Sequence, residues 1–236
     1  MGFLAGMFGK GGSAIATPLL YAVGVPAFVA VAAPLPATIP STLVASIPYW
    51  QKHLLDRRVI VWSIAWGVPA TVLGAFLSRW INGTHLVRAT DILVALLGLR
   101  FALRPGEEEP DDGKRPGYIL RLSLAAISVG FVSGLLANSG GILLAPLYLL
   151  ALRLPVKSSF ACSLAVAAVL AIPGTLVHWA LGHIDWKVVF VFGAASIPLS
   201  YVGARVAVRV PSEPLERAYG IALTVIGAGL FFVHRI

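Results

Sequence analysis

Two short glycine clusters carry most of the chemistry this sequence could perform. The first reads Gly9-Lys10-Gly11-Gly12-Ser13 and the second Asn138-Ser139-Gly140-Gly141. Each lies inside an apolar stretch, and an apolar run follows it as far as Pro18 or Pro146. Glycine in a helix interior is worse than alanine by about 1 kcal/mol, so paired glycines predict a break in each helix. Backbone amides at such a break have no partner, and hydrocarbon supplies none. A helix restarting past the cluster aims its first N–H groups and its positive dipole end at whatever fills the gap. The chemistry on offer is therefore recognition of an anion. Lys10 adds a cation, expensive in an apolar stretch unless it functions there. Ser13, Asn138 and Ser139 add polar side chains, while Gly11, Gly12, Gly140 and Gly141 contribute amides. The alternatives are that the glycines only let helices pack closely and that Lys10 snorkels to the interface.

A second candidate wall comes from segments rich in proline and hydroxyls. One carries Pro34, Pro36, Pro40 and Pro48 with Thr38, Ser41, Thr42 and Ser46 among them; the other carries Ser158, Ser159, Cys162, Ser163, Pro173 and Thr175. Proline removes an intrahelical hydrogen bond and frees a carbonyl. A nearby hydroxyl can re-satisfy that backbone, bond back to its own helix, or meet a solute. Of these residues, Thr38, Ser41, Ser159 and Ser163 join the candidate site. Bond-making chemistry finds no footing. The sequence has no HExxH, no GxSxG and no paired carboxylates within its apolar runs, and Cys162 has no metal-ligand spacing around it. No enzyme activity, metal or cofactor is expected.

The elements that must position these residues are membrane helices. The chain is 58% hydrophobic and 12% charged, against about 25% charged in a soluble domain. Crossing the hydrocarbon takes about 20 apolar residues. Runs at 59–81, 86–103, 118–138, 187–207 and 215–233 meet or approach that length, and runs at 26–50 and 156–181 reach it with prolines interrupting them. The alternation of a membrane β-barrel is missing. The fold expected is all-α: a polytopic, multi-pass bundle of about 7–8 segments in the cytoplasmic membrane. The net charge of +8 is scattered between apolar runs, with no basic stripe of the kind that binds nucleic acid. The implied partners are a small anionic solute and the lipid bilayer, and a homodimer is compatible with such a bundle.

The sequence also repeats itself. A shift of 128 residues superposes Gly2-Phe3 on Gly130-Phe131, Gly6 on Gly134 and Gly12 on Gly140. Past one inserted residue, a shift of 129 superposes Trp50 on Trp179, Asp56 on Asp185, Pro69 on Pro198 and Gly74-Ala75 on Gly203-Ala204. Chance apolar similarity does not align glycine, proline, tryptophan and aspartate. A first repeat at 1–103 and a second at 118–236 follow, separated by a hydrophilic linker at 104–117 that carries Glu107, Glu108, Glu109, Asp111 and Asp112. The second repeat has residues 118–129 ahead of its Gly-Phe, so the first helix is the shorter. Duplicated halves with glycine- or proline-interrupted segments at matching places are the usual construction of secondary transporters.

Charge placement decides the expected topology. If each glycine-broken region enters and returns on one side, each half adds three crossings and the halves are inverted. Of the 18 lysines and arginines, Lys10 then stays in the membrane, and Arg79, Arg88, Lys187 and Arg235 share one face. The other thirteen share the opposite face, which the positive-inside rule makes cytoplasmic. The linker is thus expected inside and both termini outside.

Other residues read structurally. Ala70, Gly74 and Ser78 form a small-residue stripe for helix packing. Asp56 and Asp185 should cap or orient the helices that follow them. Asp91 is one turn from Arg88 and suits a local pair. His178 is the histidine that could lie within the membrane. Trp50, Trp179 and Trp186 sit at segment ends, as interfacial anchors do.

With both glycine clusters, the Gly182-His183-Ile184-Asp185-Trp186 turn and the closing Gly203-Ala204-Arg205 stretch, the chain resembles the TauE/SafE family, also called the sulfite exporter or TSUP family. The likeness covers nearly the whole chain. It implies secondary transport of sulfur-containing anions such as sulfite, sulfoacetate or other organosulfonates. This sequence departs from the family pattern where Lys10 replaces an apolar residue and Ser13 a glycine. It departs again where Asn138 and Ser139 replace an apolar residue and a glycine. All these changes add polarity to the site. The function expected is secondary transport of a small anion, with a passive anion channel or a carrier of another small carboxylate as the alternatives.

Overall fold

The computed structural model describes residues 2–9, 20, 24, 29, 32–77, 95–103, 105, 117–135, 141–180, 182 and 184–233, with the backbone alone at 142, 178, 227 and 230–233. Among these residues every regular element is helical. In chain order they are α1 (Gly2–Met7), α2 (Pro34–Gln51), α3 (Arg57–Leu77), α4 (Tyr118–Leu135), α5 (Gly141–Ala151), α6 (Val156–Ala180), α7 (Trp186–Arg209) and α8 (Ser212–Val233). A further helical stretch covers 95–103. Among the described residues, four helices are long and apolar enough to cross a membrane: α3, α4, α6 over Val156–Val177, and α7.

Prolines do not interrupt α2 and α6 as the sequence suggested. Both run unbroken through Pro40 and Pro48, and through Pro173. Each proline forfeits one hydrogen bond, a cost that enclosure by neighbouring helices lets a membrane helix bear. The hydroxyls of these helices bond other carbonyls: Thr38 and Thr42 donate to those of Pro34 and Thr38 at 2.8 and 2.7 Å, and Thr175 to that of Ala171 at 2.8 Å.

The helix ends follow the sequence more closely. The Asp56 carboxylate accepts from the amides of Arg58 (2.8 Å) and Val59 (3.2 Å) at the start of α3. Asp185 accepts from Lys187 (2.8 Å) and Val188 (3.5 Å) at the start of α7. Both satisfy amides that a first helical turn leaves open. At the other end of α7, Lys157 donates to the Val208 carbonyl at 3.1 Å. Trp50, Trp179 and Trp186 remain exposed at helix ends.

The outward faces are apolar and the inward faces small or hydroxylated, the reverse of a soluble protein. On α3, Trp62, Trp66, Leu73 and Phe76 are exposed while Ser63, Gly67, Thr71 and Gly74 are buried. On α7, Phe190, Val191 and Val202 are exposed while Gly193, Ser196, Ser200 and Gly203 are buried. Small residues let membrane helices approach closely and hydroxyls hold them together. Helix α6 lies innermost: 61% of its apolar stretch is buried, against 33% for α3 and for α7.

The closest approaches occur twice, at positions related by the sequence repeat. Helix α1 packs on α7: a Cβ at Gly2 would overlap the Ser196 carbonyl, one at Gly6 the Ser200 carbonyl, and one at Gly203 the Phe3 carbonyl. Helix α4 packs on α3 through the equivalent residues: Gly130 against Gly67, Gly134 against Thr71, and Gly74 against Phe131. Helix α1 is thus held by a long helix distant from it in the sequence, and α4 by one separated from it by the 104–117 stretch. Between these pairs, α2 packs on α6, and Leu35 reaches Gly174 there.

Candidate functional site

The site assembles around the ends of α1 and α5. Helix α1 stops at Met7, and Gly9 follows with φ of 66°, the left-handed conformation that ends many helices and suits glycine. Glycine is needed here for a second reason. A Cβ would lie 2.5 Å from the Phe160 Cα and 2.7 Å from its carbonyl oxygen. The chain leaving α1 is therefore pressed against the backbone of α6.

Two hydroxyls take up the carbonyls that the end of α1 leaves open. Tyr49 of α2 reaches the Gly6 and Met7 carbonyls at 3.1 and 3.2 Å. Ser163 of α6 reaches the Gly9 carbonyl at 2.6 Å and the Gly141 carbonyl at 3.4 Å. Gly9 opens the first glycine cluster, while Gly141 closes the second and begins α5. One buried serine thus touches a residue of each cluster and brings Gly9 and Gly141 to the same place in the bundle.

The other expected site residues divide into two groups. Lys10, Gly11, Gly12, Ser13, Asn138, Ser139 and Gly140 lie outside the described residues, as do Asp91, Arg88 and the His178 side chain. Thr38, Ser41 and Ser159 are described and buried. Thr38 donates to Pro34, Ser41 to the Thr38 carbonyl at 3.0 Å, and Ser159 to the Leu154 carbonyl at 3.3 Å. A hydroxyl that has given its proton to a carbonyl presents only lone pairs, which an anion does not want. In this arrangement these three stabilise backbone.

Sequence reading passed over several buried polar groups. Tyr49 is one. Tyr148 is another; its hydroxyl bonds Ser63 at 2.7 Å and ties α5 to α3. Glu216 is buried in the first turns of α8, although its neighbours Glu213 and Arg217 form an exposed pair at 3.7 Å. Leu215, Tyr219 and Leu223, four residues apart and enclosed, mark the inner face of α8 and were the available signal. Among the described residues no group of three histidine, cysteine or acidic side chains could hold a metal ion.

Comparison with known proteins agrees with a transport role. A "Probable membrane transporter protein" of Xylella fastidiosa is 28% identical to the chain, over its whole length and 92% of the relative. One from Haemophilus influenzae is 28% identical over 83% of this chain and 76% of its own length. The "Probable membrane transporter protein YunE" of Bacillus subtilis is 23% identical over 70% of this chain and 66% of its own. No solved structure matches the chain. The sequence model of the sulfite exporter TauE/SafE family matches residues 1–230, and the chain belongs to that family of membrane transporters.

Proposed function

We propose that the protein is a secondary transporter of a small anion, sulfite or an organosulfonate, across the cytoplasmic membrane, and that the solute crosses where the two glycine clusters meet. The observation that carries this reading is Ser163, whose hydroxyl lies within reach of both the Gly9 and Gly141 carbonyls. That contact brings one residue of each cluster together. The donors this reading assigns to the anion are the amides of Gly11, Gly12, Gly140 and Gly141 with Lys10, Ser13, Asn138 and Ser139.

The same reading makes the chain two repeats, 1–103 and 118–236, inverted about the 104–117 linker. The matching contacts of α1 on α7 and of α4 on α3 support it, because a two-fold related pair must repeat its contacts. The distribution of basic residues supports a cytoplasmic linker with both termini outside. Cysteine labelling from intact cells tests this arrangement, and finding the linker and the C-terminus on the same side would overturn it.

The transport reading is tested by titrating purified protein with sulfite, methanesulfonate and acetate. The expected result is saturable binding that favours the sulfur oxyanions and is weakened by Lys10→Ala without loss of fold. Unchanged affinity for every anion in Lys10→Ala would remove Lys10 from the site. Accumulation of solute against its gradient distinguishes a coupled carrier from a passive pore.

A further inference from the structure

Two buried hydroxyls have no hydrogen-bond partner among the described residues, Ser196 Oγ and the Tyr219 phenol. Native proteins leave few buried polar atoms unpaired, and each exception calls for a water, an ion or a function. The serine is easily explained: a rotation about χ1 brings its short side chain to the carbonyl one turn back on its own helix. Tyrosine has no such recourse, since its hydroxyl stands a ring's length away from its backbone. Nor can the ring swing aside. Phe160, Phe8 and Phe101 surround it with centroids at 4.8, 5.6 and 6.0 Å. The next residue, Gly220, is locked against the 95–103 helix, where a Cβ would overlap the Ala102 amide and lie 2.7 Å from the Gly98 carbonyl.

The neighbours of Tyr219 also frame the start of the first glycine cluster. Phe8 precedes Gly9 in the chain. Phe160 is the residue whose backbone Gly9 touches, and Ser163, three residues on from Phe160, shares its face of α6. Tyr219 and Ser163 therefore border the same short length of chain, Phe8-Gly9, where the path proposed above begins. Tyr219 is fully buried among aromatic rings, and burial strengthens any hydrogen bond its phenol donates.

We propose that the Tyr219 hydroxyl is a hydrogen-bond donor to the transported anion, which makes α8 a third wall of the site beside the two glycine clusters. This inference rests on the anion path proposed above. It assigns a specificity role to a residue outside every glycine- and proline-rich segment. The ligand it suits is a small oxyanion, sulfite or a sulfonate, with one oxygen free to accept from a phenol.

Tyr219→Phe is the test, because it keeps the ring and its packing and deletes only the hydroxyl. Wild type and variant are titrated in detergent with methanesulfonate and, anaerobically, with sulfite, and thermal unfolding of each is recorded. The expected result is an affinity about ten- to hundredfold weaker, the worth of one hydrogen bond to a charged group, with a melting temperature no lower than wild type. Equal affinity in wild type and variant overturns the proposal and leaves the anion path standing. A fall in melting temperature alongside the loss of affinity also overturns it, because the hydroxyl would then serve the fold. If wild type binds neither anion, the anion path itself fails and this inference with it.

Discussion

Ser163→Ala strikes the contact that joins the two glycine clusters. The hydroxyl is buried, and its bond to the Gly9 carbonyl is short at 2.6 Å. Removing it takes away one hydrogen bond, worth about 0.5–1.5 kcal/mol net, and deprives a buried carbonyl of its donor, which raises the loss to about 1–3 kcal/mol. The gap left by one oxygen atom is small, so the bundle should still assemble. If that contact holds the clusters in their binding arrangement, part of the loss appears in affinity. A fall of about 1.4 kcal/mol in the population of the competent arrangement weakens binding about tenfold. Denaturant or thermal unfolding in detergent measures the first effect and anion titration the second. Ser163→Cys, with similar bulk and a weaker donor, should fall between wild type and alanine on both. An alanine variant that loses stability and keeps full affinity would refute the argument, because Ser163 would then hold helices together without shaping a site.

Three further perturbations test the frame around that site. Gly134→Val should prevent α4 from seating on α3, since a Cβ there overlaps the Thr71 carbonyl and lies 2.7 Å from the Ala75 amide; expression as a folded, monodisperse species would contradict it. Gly6→Val, the equivalent change on the α1–α7 contact, should fail in the same assay, and an effect confined to one of the pair would count against equivalent roles. Asp185→Ala should cost about 0.5–2 kcal/mol of stability through the lost cap on α7, with Asp185→Asn restoring most of it, both read from thermal unfolding.

Much of this architecture was legible in the residues. The apolar runs at 59–81, 118–138, 156–181, 187–207 and 215–233 matched α3, α4, α6, α7 and α8 to within a few residues, while α2 begins eight residues inside its expected run of 26–50. Asp56 and Asp185 announced helix starts because a carboxylate ahead of an apolar run meets open amides. The spacing of Ala70 and Gly74 foretold a packing seam, and Gly74 lies in it against Phe131. The partners across those seams were not legible. That Gly6 meets Ser200, and Gly134 meets Thr71, is set by how two halves interlock, and a run of small residues looks the same whichever helix it will touch. Prolines misled for a related reason: a helix interrupted in isolation continues when neighbouring helices enclose it. Thr38, Ser41 and Ser159 of the hydroxyl-rich wall donate to backbone carbonyls. Tyr49 and Tyr219 were passed over because a tyrosine in an apolar run gives no sign of where its hydroxyl will come to rest.

The central claim is that solute crosses at the paired glycine breaks, and flux through Gly140→Val tests it most directly. Wild type and variant are reconstituted in liposomes at equal, folded amounts, and uptake of labelled methanesulfonate is followed. The account predicts saturable uptake by wild type and none above empty liposomes by the variant, whose restarting helix could no longer present its first amides. Equal uptake by the two would contradict it.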